Sequence, residues 1–369
     1  MTTRMAPNVI AGLDAGADTP LTLLDVHNPA NGAVIAKVPM SGAGEVDLAV
    51  REAHAAFPAW AATPIKERVQ VFYRYKALLE RNIDELTALV TEENGKIASE
   101  ARAEVLKSAE LTEFACSLPQ IVTGEVLEVS RGVECRVERF PLGVVAAIAP
   151  FNFPNMVPHW SIPNAIALGN TMILKPSELV PLSATRIAEL LREAGLPDGV
   201  LQVVNGGQEA VEAICDHPGI AAVSFVGSTR VAKIVYRRAT SQLKRCLALG
   251  GAKNHLIVMP DADLEMASSN IVASMSGCAG QRCMAASVML AVVANQMVGA
   301  VGGTAVGLVF ALLFHLVNFA VGLFSPAIHA LRLHYVEFFG KFYSPGGRRY
   351  EPFGHRTTVS GPDLVRKPT

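Results

Sequence analysis

The sequence lacks a surplus of either charge. Its 369 residues include 32 lysines and arginines and 33 aspartates and glutamates, which leaves a formal net charge of −1. A protein dedicated to nucleic acid normally carries a basic surplus, so no nucleic-acid partner is expected. Half of the residues are apolar and only 18% are charged, which excludes an intrinsically disordered chain. The length suits one large domain or two domains with buried cores.

Paired cysteines are also lacking. No two cysteines form a CxxC pair, and their spacing suggests neither a zinc site nor a disulfide framework: Cys116, Cys135, Cys215, Cys246, Cys278 and Cys283. We therefore predict no metal site. The N-terminus has no uninterrupted apolar stretch before Asp14, so no secretory signal is expected. Unpaired cysteines suit a reducing compartment, and residues 1–295 are predicted to be cytoplasmic.

The charges are unevenly distributed along the chain. Residues 1–295 hold 25 basic and 30 acidic side chains, whereas residues 296–369 hold 7 and 3. No charged residue occurs between Arg282 and Arg332. We predict a transmembrane helix over 297–324, which is long enough to cross a bilayer core of about 30 Å, followed by an amphipathic basic tail. The alternative is a very apolar buried helix of a soluble domain.

In the first 295 residues, short apolar runs alternate with helical patterns. Residues 22–40 predict a hairpin, residues 44–113 predict helices, and residues 125–141 predict further strands. Buried strands separated by helices indicate an α/β fold with a doubly wound, mostly parallel sheet, which binds ligands at the carboxyl ends of its strands. The predicted strands are Val144–Ala149, Thr171–Leu174, Val200–Val204, Ala222–Val226 and Leu256–Met259.

Two residues suit chemistry at a carbonyl group. Cys283 lies in the segment 277–285, where small neighbours would let a substrate approach the thiol. A thiolate is a strong nucleophile towards carbonyl carbon. Asn152 follows the first predicted strand of the sheet, and its side-chain NH₂ group could stabilise a developing oxyanion. The alternatives are a small core cysteine and an ordinary turn asparagine.

Two further strand ends carry groups that suit a nucleotide. Lys175 and Glu178 follow the second predicted strand, where they could bind ribose hydroxyls or form a solvated turn. Gly227 and Ser228 follow the fourth and open a predicted helix, whose first amides suit a phosphate. The GxGxxG fingerprint is absent from the sequence, so this spacing alone is weak evidence for a dinucleotide.

Together, the order and spacing of these four segments resemble the aldehyde dehydrogenase superfamily over residues 22–294. The resemblance implies a Rossmann-like NAD domain followed by a catalytic domain, and a homo-oligomer formed partly through the β segment 125–143. It assigns Cys283 as the nucleophile and Asn152 as the oxyanion-stabilising residue. The residues that it assigns to NAD binding are Phe151, Lys175, Glu178, Gly227 and Ser228.

Residues 150–154, 251–255 and 280–285 resemble, more narrowly, the CoA-acylating methylmalonate-semialdehyde dehydrogenases. Most superfamily members carry a glutamate in a Glu-Leu-Gly-Gly-Lys segment, where it activates water to hydrolyse the thioester. The corresponding residues 247–253 contain no carboxylate. Without that base, the thiol of coenzyme A is the better nucleophile. The resemblance implies NAD-dependent oxidation of methylmalonate or malonate semialdehyde to propionyl-CoA or acetyl-CoA.

The carboxylate of such a substrate needs a cationic partner. Arg282 is a candidate because a guanidinium can pair with a carboxylate through two hydrogen bonds, and a structural ion pair is the alternative. The family usually has an arginine where this chain has Lys107. Lysine offers a point charge in place of a planar fork, which leaves the substrate preference open.

The C-terminal part resembles a different family. Residues 297–356 are similar to the C-terminal end of the membrane subunit (a or I) of V/A-type rotary ATPases. The aldehyde dehydrogenase family continues well past its cysteine. The predicted organisation is therefore an NAD-binding domain over 1–248, a truncated catalytic domain over 249–295, and the transmembrane helix and tail over 296–369.

Three hypotheses follow for the whole chain. It is an NAD- and CoA-dependent semialdehyde dehydrogenase, a membrane-tethered module that binds NAD without catalysis, or a join of two unrelated sequences with no evolved joint function. We expect the purified chain to form no NADH from methylmalonate semialdehyde and CoA, because a truncated sheet exposes unpaired edges and apolar surface. Turnover that Cys283→Ala abolishes would contradict this expectation.

Overall fold

The computed structural model describes three stretches and two isolated leucines: 4–15, 22–259, 261–291, Leu313 and Leu316. The chain forms two units, Met1–Leu290 and Ala291–Thr369. Apart from the two leucines, the predicted transmembrane helix over 297–324 and the basic tail lie outside the described residues. Among the residues that are described, no helix is both long and apolar enough to span a membrane.

The strands and helices follow one another in a mixed order. In chain order the strands are β1 (Arg4–Met5), β2 (Asn8–Ile10), β3 (Leu13–Ala15), β4 (Leu23–His27), β5 (Val34–Pro39), β6 (Glu125–Ser130), β7 (Val133–Val137), β8 (Val144–Ile148), β9 (Thr171–Lys175), β10 (Leu201–Val203), β11 (Ile220–Val226), β12 (Arg245–Leu249), β13 (Asn254–Val258) and β14 (Ala286–Ala291). The α-helices are α1 (Ala43–Ala62), α2 (Ile65–Arg81), α3 (Ile83–Asn94), α4 (Ala98–Cys116), α5 (Leu118–Ile121), α6 (Met156–His159), α7 (Ile162–Ala167), α8 (Leu182–Glu193), α9 (Gln208–Asp216), α10 (Thr229–Ser241) and α11 (Leu264–Ser276). A 3₁₀ turn spans Gly277–Gly280.

The main sheet confirms the predicted doubly wound α/β fold. Within the described residues, seven strands form it in the order β12-β11-β8-β9-β10-β2-β3. The first five are parallel, and β2 and β3 add an antiparallel edge. The chain moves outward from β8 to β10 on one side and then crosses to β11 on the other. The carboxyl ends of β8 and β11 therefore flank the topological switch point, where such sheets bind ligands.

The fifth parallel strand is not the one that the sequence predicted. The run Leu256–Met259 overlaps β13, which pairs with β14 in a separate two-stranded sheet, and the edge of the main sheet is β12. Side chains along β12 alternate between exposed and half-buried. The apolar run in β12, residues 246–249, is only four residues long and follows the basic pair Lys244 and Arg245, so the pattern alone does not identify a strand. This is why the sequence pattern missed β12.

The two faces of the sheet bury separate cores. Along β8, Val145 and Ala147 pack into a core shared with α2, α4, α7 and α8. The alternate residues Val144, Ala146 and Ile148 pack into a core shared with α1, α9 and α10. This alternation is the period of two expected for a strand that is covered on both sides. The central strand β8 is therefore held by packing on both faces.

Two hairpins lie outside the main sheet. The strands β4 and β5 pair antiparallel and form the hairpin predicted for residues 22–40, and β1 extends it. The strands β6 and β7 form the second hairpin, and every residue in both strands is exposed. Its apolar side chains include Val126 and Leu127. A role of the segment 125–143 in oligomerisation stays a prediction.

A buried histidine beneath the central loop should make stability depend on pH. His159 Nδ1 donates to the carbonyl oxygen of Asn155 at 2.6 Å, and Nε2 accepts from the Tyr75 hydroxyl at 2.8 Å. Burial lowers the pKa of His159 to about 4. Between pH 6.5 and about 4 the unfolded chain takes up a proton that the folded chain does not. Stability should therefore fall over this range by up to about 3 kcal/mol.

The measurement is urea unfolding at pH 7 and pH 5. We expect the free energy of unfolding to fall less steeply with pH in His159→Gln than in the wild type. The exposed His54 provides the control, and His54→Gln should keep the wild-type slope. Equal slopes in all three proteins would contradict the assignment.

Candidate active site

The loop after β8 carries Asn152 and is fixed at several points. It leaves the sheet where the amide of Ala149 donates to the carbonyl oxygen of Lys175 on β9, at 2.9 Å. The side chain of Asn94 donates to the carbonyl oxygen of Phe151 at 2.8 Å. The amides of Asn155 and Met156 both donate to Glu104 Oε1, at 2.8 and 3.1 Å. The loop is thus a fixed connection between β8 and α6.

Glu104 is one half of a buried ion pair. Its second oxygen accepts from Lys96 Nζ, and both side chains are almost completely buried. The Lys96 ammonium also lies 3.6 Å from the centre of the Phe153 ring, within the range of a cation–π interaction. The negative charge of Glu104, which binds the loop, is therefore neutralised by the buried Lys96, and buried charges require such a partner.

A second segment, the nucleophile turn (residues 277–283), lies against this loop. Asn152 Nδ2 donates to the carbonyl oxygen of Gln281 at 2.6 Å, two residues before Cys283. Asn254 Nδ2 donates to the carbonyl oxygen of Cys283 at 2.9 Å. The amide of Cys278 donates to the carboxylate of Glu100, at 3.0 and 3.2 Å. The two segments that the sequence singled out are therefore joined directly.

A cleft of about 650 Å³ opens between these segments. Its walls include Lys96, Glu100, Phe151, Asn152, Cys278 and Gln281. Cys283 is half-buried and is not among the lining residues. Burial raises the pKa of the Cys278 thiol, so at neutral pH this thiol is largely protonated. The cleft is large enough for a small organic substrate.

The predicted nucleotide groups lie at the neighbouring strand ends. Lys175 Nζ lies 3.1 Å from Glu178 Oε2; the Lys175 side chain is 5% exposed and that of Glu178 is 33% exposed. Burial lowers the pKa of Lys175, and the nearby Glu178 partly opposes this effect. An ammonium and a carboxylate held together at a strand end can donate to and accept from sugar hydroxyls.

The turn after β11 suits a phosphate. The amide of Gly227 donates to the carbonyl oxygen of Leu249, and Ser228 caps α10 by accepting from the amide of Val231. A Cβ atom at Gly227 would lie 2.6 Å from the Phe225 ring, so a larger residue here would require the ring to move. The first amides of α10 have no acceptor within the helix and point towards its N-terminus. The residues present therefore fit a dinucleotide that extends from β9 to α10.

The two candidate partners for a substrate carboxylate lie in different surroundings. Arg282 is exposed within the nucleophile turn, and its guanidinium lies close to Gly277. Lys107 lies on the exposed face of α4, where it pairs with Glu110, and it is not among the residues that line the cleft. Arg282 does not line the cleft either, but it belongs to the nucleophile turn itself.

Sequence reasoning missed the groups on α4 that support the site. Glu100 and Glu104 stand in a charged stretch that is typical of a solvated helix face. The one signal available was periodic: Ala101, Val105 and Ser108 are the buried positions around Glu104 and define a face that contains it. A carboxylate on that face requires a buried partner.

The fold and the two joined segments define a class: an α/β protein with a dinucleotide crevice beside a turn that carries a thiol. The model of the aldehyde dehydrogenase family matches residues 17–301. The chain belongs to the aldehyde dehydrogenase family. The model of the V-type ATPase 116kDa subunit family matches residues 283–355. The two matches therefore overlap over residues 283–301.

Curated relatives of the chain fall within one group of this family. The chain is 52% identical over 276 residues to malonate-semialdehyde dehydrogenase 2 of Geobacillus thermodenitrificans, a match covering 74% of this chain and 57% of that protein. It is 46% identical over 305 residues to malonate-semialdehyde dehydrogenase 2 of Bacillus cereus, covering 81% and 62%. The chain therefore spans about six-tenths of the length of these relatives.

Solved structures show the same likeness. Methylmalonate-semialdehyde dehydrogenase of Oceanimonas doudoroffii superposes with a TM-score of 0.76 at 45% identity, covering 81% of this chain and 62% of that one. A structure from Sinorhizobium meliloti 1021 that is complexed with NAD has a TM-score of 0.76 at 42% identity, and the match covers 79% of this chain and 59% of that one.

Proposed function

We propose that residues 22–291 form the NAD-binding and nucleophile-bearing part of a CoA-acylating dehydrogenase for malonate or methylmalonate semialdehyde. The observation that carries the proposal is the hydrogen bond between Asn152 and the backbone of Gln281. It joins the oxyanion loop, residues 149–154 after β8, to the nucleophile turn. The names of the relatives support the substrate class.

The chain's own groups perform the covalent steps. The Cys283 thiolate attacks the aldehyde carbon, and the new oxyanion accepts a hydrogen bond from Asn152. NAD⁺, when bound, would supply the two-electron oxidant by accepting a hydride. The carbonyl re-forms as a thioester on Cys283. Lys175 and Glu178 hold the nucleotide's ribose, and Gly227, with the first amides of α10, accommodates its phosphates.

Coenzyme A releases the acyl group from Cys283 by thiolysis. Residues 245–253, which cover β12 and the turn after it, contain no carboxylate that could activate water. The thiol of CoA attacks the thioester carbon, the Cys283 thiolate leaves, and the proton of CoA passes to solvent or to a nearby base. With methylmalonate semialdehyde, the acyl group also loses CO₂ and takes up a proton in its place, which gives propionyl-CoA, as the family resemblance implies.

The test is a single-turnover experiment read by mass spectrometry. Incubation with NAD⁺ and malonate semialdehyde, without CoA, should leave an acyl adduct on Cys283 in the peptide map, and added CoA should remove it. Cys283→Ala should carry no adduct, and Cys135→Ala, which changes an exposed cysteine on β7, should react as the wild type does. NAD binding without an adduct in the wild type would refute the proposal.

Steady-state turnover is a separate question, because much apolar surface around the nucleophile turn is exposed. No residue of α11 is buried, and Leu247, Ile257 and Met266 are each more than half exposed. Exposed apolar surface of this extent favours association over an ordered site. The expectation of no continuous NADH formation therefore stands as a prediction.

Loss of Lys175 should weaken NAD binding. A hydrogen bond from a charged group contributes about 1.5–3 kcal/mol, so we expect Lys175→Ala to raise the Kd for NAD⁺ about 10–100-fold. Titration calorimetry measures this directly. Lys66→Ala, at an exposed position on α2, is the control and should bind as the wild type does. An unchanged Kd in Lys175→Ala would exclude the ribose role.

A second candidate is a membrane-tethered form of the same module. It is supported by the family match over 283–355 and by the uncharged sequence between Arg282 and Arg332. The full chain should then partition into the detergent phase, and a variant lacking residues 296–369 should stay in the aqueous phase. Recovery of both proteins in the aqueous phase would exclude the tether.

A further inference from the structure

We infer that α4 sets the distance between the oxyanion loop and the nucleophile turn through Glu100 and Glu104. Glu100 accepts from the amide of Cys278 in the nucleophile turn. Glu104 accepts from the amides of Asn155 and Met156, just after the oxyanion loop. Each carboxylate thus binds the backbone of one reactive segment.

The helix is a suitable spacer for this purpose. Residues four apart lie on one face of an α-helix, and the rise between them is about 6 Å. The helix is 19 residues long and is packed against α2 and α3, so the two carboxylates cannot move independently. Both are positioning residues, since they contact the backbone and not the reacting atoms.

The conformation of Cys278 shows why the nucleophile turn needs outside support. Its φ is +55°, in the left-handed region that residues with a side chain adopt rarely. Such a conformation persists only when its surroundings enforce it. The two oxygens of Glu100 on the Cys278 amide supply that constraint. A loss of Glu100 should therefore release the turn that ends at Cys283.

The first test is amide hydrogen exchange, resolved to single residues by fragmentation mass spectrometry. Glu100→Ala should speed exchange at the Cys278 amide about tenfold or more, and leave β8 and β9 unchanged. Glu100→Gln should restore protection because its amide oxygen still accepts, whereas the shorter Glu100→Asp should not. Glu113→Ala, at an exposed position on the same helix, is the matched control.

Glu104 requires a variant that leaves no unpaired buried charge. In the double variant Lys96→Met, Glu104→Ala, exchange should speed up at Asn155 and Met156 and not at Cys278. Glu100→Ala should show the opposite pattern. The inference is wrong if either variant leaves its own segment protected, or if both variants loosen the two segments and the sheet equally.

The functional consequence rests on the proposed thioester chemistry. Glu100→Ala should slow acylation of Cys283 about tenfold or more and leave the Kd for NAD⁺ unchanged, and Glu100→Gln should recover the rate. A purely structural role would weaken NAD binding as well. If the wild type is not acylated, the proposed function fails, and the exchange pattern alone decides whether α4 holds the two segments.

Discussion

Replacing Asn152 with alanine should slow acylation of Cys283 about 10²–10³-fold and leave NAD binding unchanged. Removal of one oxyanion donor has an effect of this size because the donor is fixed in place before charge develops. The side chain of Asn152 is fixed by its bond to the Gln281 carbonyl oxygen, which uses one of its two amide hydrogens. The other hydrogen is left for the oxyanion. Single-turnover mass spectrometry measures the rate.

Two further variants separate this role from a loss of structure. Asn152→Asp keeps the shape of the side chain but replaces the donor with a negative charge, and it should be slower than Asn152→Ala. Asn31→Ala removes an asparagine from the exposed β4–β5 hairpin turn and should react at the wild-type rate. If Asn152→Ala slows acylation only a few-fold, another group stabilises the oxyanion.

The sequence was sufficient to predict the four parallel strands β8, β9, β10 and β11. Residues of β8 and β9 are buried throughout, so they read as continuous apolar runs. The edge strand β12 was missed because its apolar run is short and follows two basic residues, and β2 and β3 were missed because each is only three residues long. A buried strand therefore gives a clear sequence pattern only when it is long enough.

The candidate site was predictable in part, for a similar reason. Strand ends in a parallel sheet meet at one edge, which is why Asn152, Lys175 and Gly227 could be placed together from order alone. The contacts of Glu100 and Glu104 could not be predicted in this way. Glu104 contacts a residue 51 positions away in the chain, and Glu100 contacts one 178 positions away. The periodicity of α4 places Glu104 on a buried face, but it does not identify the segment that the side chain contacts.

Breaking the buried ion pair should be the most destabilising single change to the site. Glu104→Gln leaves the Lys96 ammonium buried without a counter-charge, and we expect the free energy of unfolding to fall by about 3–5 kcal/mol. Most of that loss is the desolvation of the remaining charge rather than the value of the pair. Urea unfolding at pH 7 provides the measurement. Glu80→Gln, which breaks an exposed pair with Lys76, should change stability by at most about 1 kcal/mol.

A second substitution tests this explanation. In the double variant Lys96→Met, Glu104→Gln neither position carries a charge, and the glutamine oxygen can still accept from the Asn155 amide. We therefore expect it to recover most of the stability that Glu104→Gln loses. If the double variant is as unstable as the single one, the negative charge at the amides of Asn155 and Met156 matters more than the pair. The loop that carries Asn152 would then depend on Glu104 directly, with Lys96 serving only to balance its charge.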